Sequence, residues 1–177
     1  MSGDERTARF EQAFLCHLDA AYNLARWLTR SAQDAEDLVQ ESFLRAFEHY
    51  DSFRGDSPRA WLLAIVRNAC YSHLRRRAPS GETAEFDERI HSPETSAGDP
   101  EAVALREFDG KRLAEALEDL PDEYREALVL RELEEMSYKE IAAVLGIPIG
   151  TVMSRLNRGR DRLRACLAGE AAKEPRR

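Results

Sequence analysis

Apolar residues recur at helical spacing along almost the whole sequence, and this pattern limits the possible folds more than any other feature. In the first segment, one face of the predicted helix carries Phe10, Phe14, Leu18, Tyr22 and Ala25. No stretch combines the strict alternation and hairpin signals that predict paired β-strands. We therefore expect an all-α protein.

Two further helices are predicted in the N-terminal half, and each has a residue suited to begin it. Ser31 can cap a helix whose apolar face comprises Ala35, Leu38, Val39, Ser42, Phe43, Ala46 and Phe47. After a break at 50–57, Ser57 and Pro58 suit the N-cap and first position of a third helix. The inner face of that helix is predicted to carry Trp61, Leu62, Ile65, Val66, Ala69 and Leu74.

A polar stretch divides the chain into two parts. Between residues 78 and 98, prolines, serines, glycines and acids replace large apolar residues, which predicts a flexible acidic linker. The next helices are predicted to begin at Asp99-Pro100 and after Pro121, the latter with Tyr124, Ala127, Leu128 and Leu133 inward. We predict two small helical domains at 1–77 and 100–168, a linker at 78–99 and a disordered tail at 169–177.

Charge is sorted along the chain into two basic segments within acidic surroundings. The whole chain carries 26 Lys and Arg against 33 Asp and Glu, a formal net charge of −7. Residues 59–77 nevertheless contain five arginines and no acid, and residues 148–164 contain five arginines and one aspartate. Basic clusters neutralise phosphates whatever the overall charge, so nucleic acid is a candidate partner. Solvated helix faces are the alternative explanation.

Residues 137–164 have the pattern of a helix-turn-helix. Ser137 and Glu140 fit a capping box, and Met136 and Ile141 fit the hydrophobic staple around it. Gly146 suits the left-handed position that ends the first helix. In the second helix, the residues expected to face outward are hydrogen-bonding or basic: Thr151, Ser154, Arg155, Asn157 and Arg158. Such side chains at the start of a helix favour contact with DNA bases and phosphates over a plain helical hairpin.

Other functional classes lack support in the sequence. The longest uncharged apolar stretch, Ala60 to Val66, is too short to cross a bilayer, and no secretory signal is visible, so we expect a cytoplasmic protein with no direct membrane insertion. Cys16, Cys70 and Cys166 have neither disulfide nor zinc spacing. The four histidines are scattered, and no phosphate-binding loop or catalytic constellation is present. We expect no catalysis, no metal and no cofactor.

Several motifs occur together in an order that resembles one known family. They are Asp34 to Phe47, Phe53 to Leu62, Arg67-Asn68 with His73 to Arg77, Leu120-Pro121, and Leu130 to Leu133 followed by the helix-turn-helix. Together they resemble the extracytoplasmic-function sigma factors, the small two-domain sigma factors of bacterial RNA polymerase. The resemblance implies binding of core RNA polymerase, recognition of promoter DNA, and frequent control by an anti-sigma factor.

The resemblance implies a polymerase-docking role for the helix at 34–47. The residues that match the docking surface are Asp37, Leu38, Gln40, Glu41 and Arg45. A mostly acidic helix suits a basic partner surface and would repel DNA. For Leu38 and Phe43 a place in the core is the alternative, and for Phe43 it is the favoured one.

The next segment resembles the part of the family that reads the minus-ten promoter element. Residues 50–57 match a loop that captures a flipped base, with Phe53, Arg54 and Asp56 near the pocket. The helix that follows would track the strand with Arg59, Trp61, Arg67, Asn68, Ser72 and Arg75. For Trp61 a core position is favoured, because it lies beside Leu62 and Ile65.

The C-terminal domain resembles the reader of the minus-thirty-five element. The residues that match it are Arg131, Gly150, Thr151, Ser154, Arg155, Asn157 and Arg158. Two positions depart from the commonest family pattern. Met153 stands where a basic residue is frequent, so promoter preference cannot be transferred from relatives. Gly159 stands where alanine is usual and is expected to mark a point where the helix frays.

The function expected from these observations is promoter-specific transcription initiation. An ordinary helix-turn-helix regulator without a sigma role is the main alternative, and dimerisation and a palindromic operator would favour it. An enzyme is a weaker alternative, although Asp34, Glu36 and Asp37 could imitate a metal cluster. An adaptor that uses the acidic face and never touches DNA is the last alternative.

Overall fold

Helices account for the regular structure that is described. The structure, a computed structural model, describes residues 3–77 and 110–171, with side chains to residue 169. Within those ranges there is no strand, so the all-α expectation is confirmed for them. The helices are α1 (Gly3–Phe14), α2 (Leu18–Thr29), α3 (Ala32–Glu48), α4 (Pro58–Arg77), α5 (110–118), α6 (Asp122–Leu128), α7 (Tyr138–Leu145) and α8 (Ile149–Ala171).

Some expectations fall outside the described residues. They are the linker at 78–99, the helix start at Asp99-Pro100 and the last six residues of the predicted tail.

The N-terminal half packs α2, α3 and α4 against one another, with α1 alongside them. Phe14, Leu24, Leu62, Leu63 and Val66 are fully buried in this core. The predicted first helix is interrupted, because Leu15–His17 form a 3₁₀ turn between α1 and α2. A 3₁₀ turn has three residues per turn and rotates the side chains beyond it relative to a continuous α-helix. Leu18 is consequently 45% exposed, and its predicted inward position is wrong.

The predicted helix starts in this half are confirmed. The Ser31 hydroxyl accepts a hydrogen bond from the backbone N–H of Asp34 at 3.2 Å and caps α3. The Ser57 hydroxyl accepts one from the N–H of Ala60 at 3.2 Å and caps α4. Both caps satisfy backbone donors that the first turn of a helix leaves without an intrahelical partner.

In the C-terminal half, α6 does not continue as a regular helix. Residues Val129–Leu133 form a π-turn, and the N–H of Glu134 donates to the carbonyl of Val129 at 3.1 Å. The wider turn holds an extra residue, so side chains beyond it face a different direction. Leu133 is 48% exposed for this reason, and its predicted inward position is wrong.

The helix-turn-helix forms as predicted. Ser137 and Glu140 complete both hydrogen bonds of the capping box, and the staple residues Met136 and Ile141 are fully buried. Gly146 ends α7 with φ +66°, a left-handed conformation that favours glycine. The next helix, α8, then begins at Ile149.

Gly159 does not mark a frayed end, because α8 runs unbroken to Ala171 and Gly159 is buried. A Cβ at this position would lie 3.1 Å from Leu128 Cδ1 and 3.3 Å from Tyr124 Cβ. The glycine therefore allows α8 to pack closely against α6, and the expected fraying is wrong.

The two halves also pack against each other. The contact joins α4 to α7 and α2 to α6. It brings the polar face of α4 against the helix-turn-helix and so positions the candidate sites of the two halves close together. No helix in the described part of the chain is long and apolar enough to cross a membrane.

Candidate nucleic-acid interface

The outer face of α3 is polar and accessible. Asp37, Gln40, Glu41 and Arg45 are exposed, and the Arg45 guanidinium pairs with the Glu41 carboxylate at 2.8 Å. Leu38 is only 4% exposed and lies in the core. This burial agrees with the core position that the sequence left open for Leu38, and its contact with polymerase stays a prediction. Phe43 is half-buried and packs against the core, in agreement with the interpretation that the sequence favoured.

Leu44 is a residue of this face that sequence reasoning missed. It is 67% exposed, the highest value among the large hydrophobic side chains of the described residues. It stands at helical spacing from Asp37, Gln40 and Glu41, so all four share one side of α3. That spacing was readable in the sequence, since Leu44 is absent from the predicted apolar face, but it was not assigned to the docking surface.

The loop between α3 and α4 is built on an aromatic cluster. The Phe53 ring lies 5.9 Å from that of Phe14 and 5.1 Å from that of Trp61. Trp61 is half-buried and packs against the core, as the favoured interpretation held. A Cβ at Gly55 would lie 3.0 Å from Phe53 Cε2, so a larger residue at this point of the loop would crowd the ring. Asp56 is exposed, and Arg54 donates to the carbonyls of Asp51 and Phe53.

A cleft of about 360 Å³ opens beside this loop. The N-terminal half of the chain lines it with Phe53, Asp56 and Trp61, and the C-terminal half lines it with Lys139 and Ala143 of α7. The cleft is aromatic on one side and polar at its rim. These are the surfaces that stack on a base and hydrogen-bond to its edge.

The exposed end of α4 carries a second group of polar side chains. Asn68 is exposed, Ser72 is half-buried, and Arg75 donates to the Ser72 hydroxyl at 3.2 Å. Ser72 and Arg75 line a groove of about 440 Å³ with Glu41 and Arg45 of α3. The groove places cations where a strand backbone could follow α4.

The other two arginines predicted for the minus-ten element are engaged elsewhere. Arg59 pairs with Glu134 at 2.9 Å, and Arg67 pairs with Glu126 at 2.8 Å. Burial opposes the charge on Arg67, but the hydrogen bonds and charge of Glu126 outweigh it and raise the pKa of the guanidinium. Burial also raises the pKa of Tyr71, which donates to the same carboxylate at 3.0 Å.

In α8, the predicted readers divide into two groups. Gly150, Asn157 and Arg158 are exposed, whereas Thr151, Ser154 and Arg155 are half-buried. The Ser154 hydroxyl donates to the Thr151 carbonyl at 3.0 Å. Arg155 points back to α6, with a nitrogen 3.4 Å from the Glu126 carboxylate.

Arg131 lies apart from these readers and braces the approach to the helix-turn-helix. Its guanidinium donates to the Met136 carbonyl at 2.7 Å and lies 5.0 Å from the centre of the Tyr138 ring. In this position it orders the turn before α7.

The described residues contain no disulfide and no group of side chains arranged to bind a metal ion. Cys16, Cys70 and Cys166 are all free thiols, and burial raises the pKa of Cys70 to about 12. No group of three His, Cys, Asp or Glu side chains within residues 3–77 and 110–171 is arranged to hold a metal ion.

Known proteins match both halves of the chain. Residues 13–79 match Sigma-70 region 2, and residues 110–163 match Sigma-70 region 4. The RNA polymerase sigma-H factor of Pseudomonas aeruginosa is 36% identical over 90% of this chain and 85% of its own length. The ECF RNA polymerase sigma-E factor of Salmonella typhimurium is 40% identical over 72% of this chain and 71% of its own. The chain belongs to the extracytoplasmic-function (ECF) sigma factor family.

Relatives of this ECF sigma factor differ in length. The ECF RNA polymerase sigma factor SigE of Mycolicibacterium smegmatis is 38% identical over 86% of the chain, but the chain spans only 59% of that relative.

Two solved structures resemble this one over about nine tenths of the chain. The sigma factor RpoE of Bartonella quintana, in complex with the anti-sigma factor NepR, matches with a TM-score of 0.74 and 33% identity. That match covers 90% of this chain and 97% of the other. CnrH, in complex with the cytosolic domain of CnrY, matches with a TM-score of 0.65 and 29% identity over 92% of this chain and 90% of the other.

Proposed function

We propose that this ECF sigma factor binds core RNA polymerase, directs it to specific promoters and promotes strand opening, without catalysis of its own. One observation carries the proposal. The chain combines a helix-turn-helix in one sigma region with a second basic helix and an aromatic loop in the other. An ordinary regulator needs only the first of these.

Three surfaces would bind the polymerase and the two promoter elements. The docking face of α3, comprising Asp37, Gln40, Glu41, Leu44 and Arg45, would hold the polymerase. Phe53, Arg54 and Asp56 of the loop, with Arg59, Trp61, Arg67, Asn68, Ser72 and Arg75 of α4, would bind the opened minus-ten strand. Gly150, Thr151, Ser154, Arg155, Asn157 and Arg158 of α8 would read the duplex at minus thirty-five, positioned by Arg131.

The partners of this proposed function are core RNA polymerase, promoter DNA and an anti-sigma factor. The anti-sigma factor is supported by the RpoE structure, which is a complex of a sigma factor with such a protein. We place the protein in the cytoplasm, where bacterial transcription occurs, and propose domain limits of 1–77 and 100–168 with a linker between them.

Run-off transcription tests the proposal. Core polymerase is supplied with a promoter library, with and without this chain, and transcripts are sequenced. We expect a defined subset of promoters to become active only when the chain is present. No activation, together with tight sequence-specific gel shifts by the chain alone, would favour the ordinary regulator. Polymerase binding without any DNA-dependent activity would favour the adaptor.

A further inference from the structure

Three carboxylates of the C-terminal domain lie on the face of α4 that was predicted to bind DNA. Glu126 pairs with Arg67, Glu134 pairs with Arg59, and Glu140 accepts a hydrogen bond from the Ser57 hydroxyl at 3.0 Å. Each contact joins one domain to the other. Two of these acids, Glu126 and Glu134, therefore contact arginines that were predicted to bind the promoter strand.

Glu126 has the most complete set of partners. Its two oxygens accept from Arg67 Nε at 2.8 Å and Nη2 at 3.0 Å, a bidentate geometry that arginine also offers to phosphate. Tyr71 donates at 3.0 Å, and Arg155 approaches from α8 at 3.4 Å. The carboxylate is 1% exposed. One acid therefore binds an arginine predicted for the minus-ten element and another predicted for the minus-thirty-five element.

Glu134 repeats the arrangement at the start of α4. It accepts from Arg59 at 2.9 Å and from the Asn23 amide at 3.1 Å, and its backbone carbonyl also accepts from Arg59 at 2.6 Å. The side chain is 8% exposed. Arg59 and Arg67 cannot contact a DNA strand while these pairs persist.

We propose that Glu126 and Glu134 act as internal phosphate mimics that hold the unbound chain closed and cover its DNA-reading arginines. This proposal rests on the proposed sigma function, because it assigns Arg59, Arg67 and Arg155 to DNA. Opening the chain releases Arg59 and Arg67 together, and it leaves Glu126 with Arg155 as its remaining arginine partner, within the C-terminal domain.

The energetics suit a reversible contact. A buried ion pair gains Coulomb energy but loses hydration, so the two effects largely offset each other. Opening returns both charges of each pair to water, which offsets much of the Coulomb energy that is lost. The polymerase-docking face on α3 remains exposed in the closed form, because Asp37, Gln40 and Glu41 lie outside the contact. Polymerase can therefore dock first, and the opening then exposes the DNA-reading faces.

The first test measures the distance between the domains of the full chain. Cys16 is exposed on the N-terminal domain, Cys166 is half-buried on α8, and Cys70 is buried, so donor and acceptor dyes are attached at Cys16 and Cys166. We expect Glu126→Gln and Arg67→Gln each to lower energy transfer relative to the wild type. Glu132→Gln, which removes an intradomain pair with Arg160, is the control and should change nothing. Circular dichroism checks folding, and Glu134→Gln replaces Glu126→Gln if the latter unfolds.

The second test measures DNA binding without polymerase. The probe is a fluorescent single-stranded oligonucleotide with the minus-ten region of a promoter selected by run-off transcription. We expect Glu126→Gln to bind it roughly tenfold more tightly than the wild type, since a charge-assisted hydrogen bond corresponds to at least about that factor. Arg67→Gln should open the chain without this gain, because it also loses a DNA contact.

Two outcomes would overturn the proposal that Glu126 and Glu134 act as phosphate mimics. One is unchanged energy transfer in both Glu126→Gln and Arg67→Gln; the other is equal oligonucleotide binding by Glu126→Gln and the wild type. Failure of the sigma function is a separate result, since it appears as missing run-off transcripts with wild-type chain. The energy-transfer measurement needs no promoter, so it tests the closed form whether or not run-off transcripts appear.

Discussion

Single residues decide how closely the helices of the C-terminal domain approach. Gly159 lies where α8 crosses α6, and the space for a Cβ is taken by Leu128 and Tyr124. Leu128 is 2% exposed and is confined by its neighbours. A small residue is therefore required by packing, although glycine weakens the helix that contains it.

Gly159→Ala should destabilise the protein. Alanine improves helix propensity by about 0.5–1 kcal/mol, but overpacking a tight contact costs about 1–3 kcal/mol. We expect a net loss of about 1 kcal/mol in the free energy of unfolding, measured by urea denaturation. Gly150→Ala is the control, because nothing lies within 4 Å of its Cβ position. Equal effects of the two substitutions would contradict the packing role.

Whole elements were predictable wherever a local signal decides the conformation. The caps at Ser31 and Ser57 and the capping box at Ser137 depend on hydrogen bonds within four residues, and all three formed as expected. Local signals do not encode a change of helical pitch. The 3₁₀ turn at Leu15–His17 therefore displaced Leu18 from the core, and the π-turn at Val129–Leu133 displaced Leu133.

The capping box gives the helix-turn-helix a dependence on pH. The backbone hydrogen bond from Ser137 holds the pKa of Glu140 below its ordinary value of 4.5. A lowered pKa means that the stabilisation is complete above pH 4.5 and is lost as pH falls through the folded-state pKa. We expect Glu140→Ala to lower unfolding free energy at pH 7 and to converge on the wild type in acid. Glu36→Ala, at an exposed position on α3, is the control. Its effect on the unfolding free energy should not disappear between pH 7 and acid as the effect of Glu140→Ala does.

Substitutions on the docking face of α3 are expected to weaken binding to core polymerase. Asp37→Lys should weaken binding to core polymerase by reversing a charge on this face, and Leu44→Ala should weaken it roughly tenfold as a lost apolar anchor. Helicity should not change, since both side chains are exposed. Glu11→Lys, an exposed charge reversal on α1, is the matched control. Binding of labelled chain to core polymerase measures the effect, and wild-type affinity in Asp37→Lys and Leu44→Ala would remove the assignment.

The arrangement of the whole molecule was the part least accessible from sequence. The site residues were predicted one domain at a time, from spacing and from the family resemblance. Nothing local indicates that Glu126, in an ordinary acidic helix, meets Arg67 and Arg155. Contacts between domains depend on surfaces that are distant in sequence. The pairing of Arg59 and Arg67 with acids of the other domain was therefore visible only in the structure.

In the whole molecule, the two DNA-reading domains are proposed to have different roles. Arg158 is exposed on α8 and suits the edge of a paired base, whereas Asn68 is exposed on α4 and suits a separated strand. Polymerase sets the spacing between the two contacts. Either residue can therefore be removed without disturbing the pairs that close the unbound chain.

These different roles can be separated by permanganate footprinting of polymerase-bound promoters, combined with measurements of promoter affinity. We expect Arg158→Ala to weaken binding to the upstream duplex, by about 1–3 kcal/mol if it contacts a guanine edge, and to leave opening intact once the promoter is bound. Asn68→Ala and Phe53→Ala should keep upstream binding and reduce the reactivity of thymines in the opened strand. Loss of opening in Arg158→Ala on a bound promoter, with only upstream affinity changed in Phe53→Ala, would contradict the account.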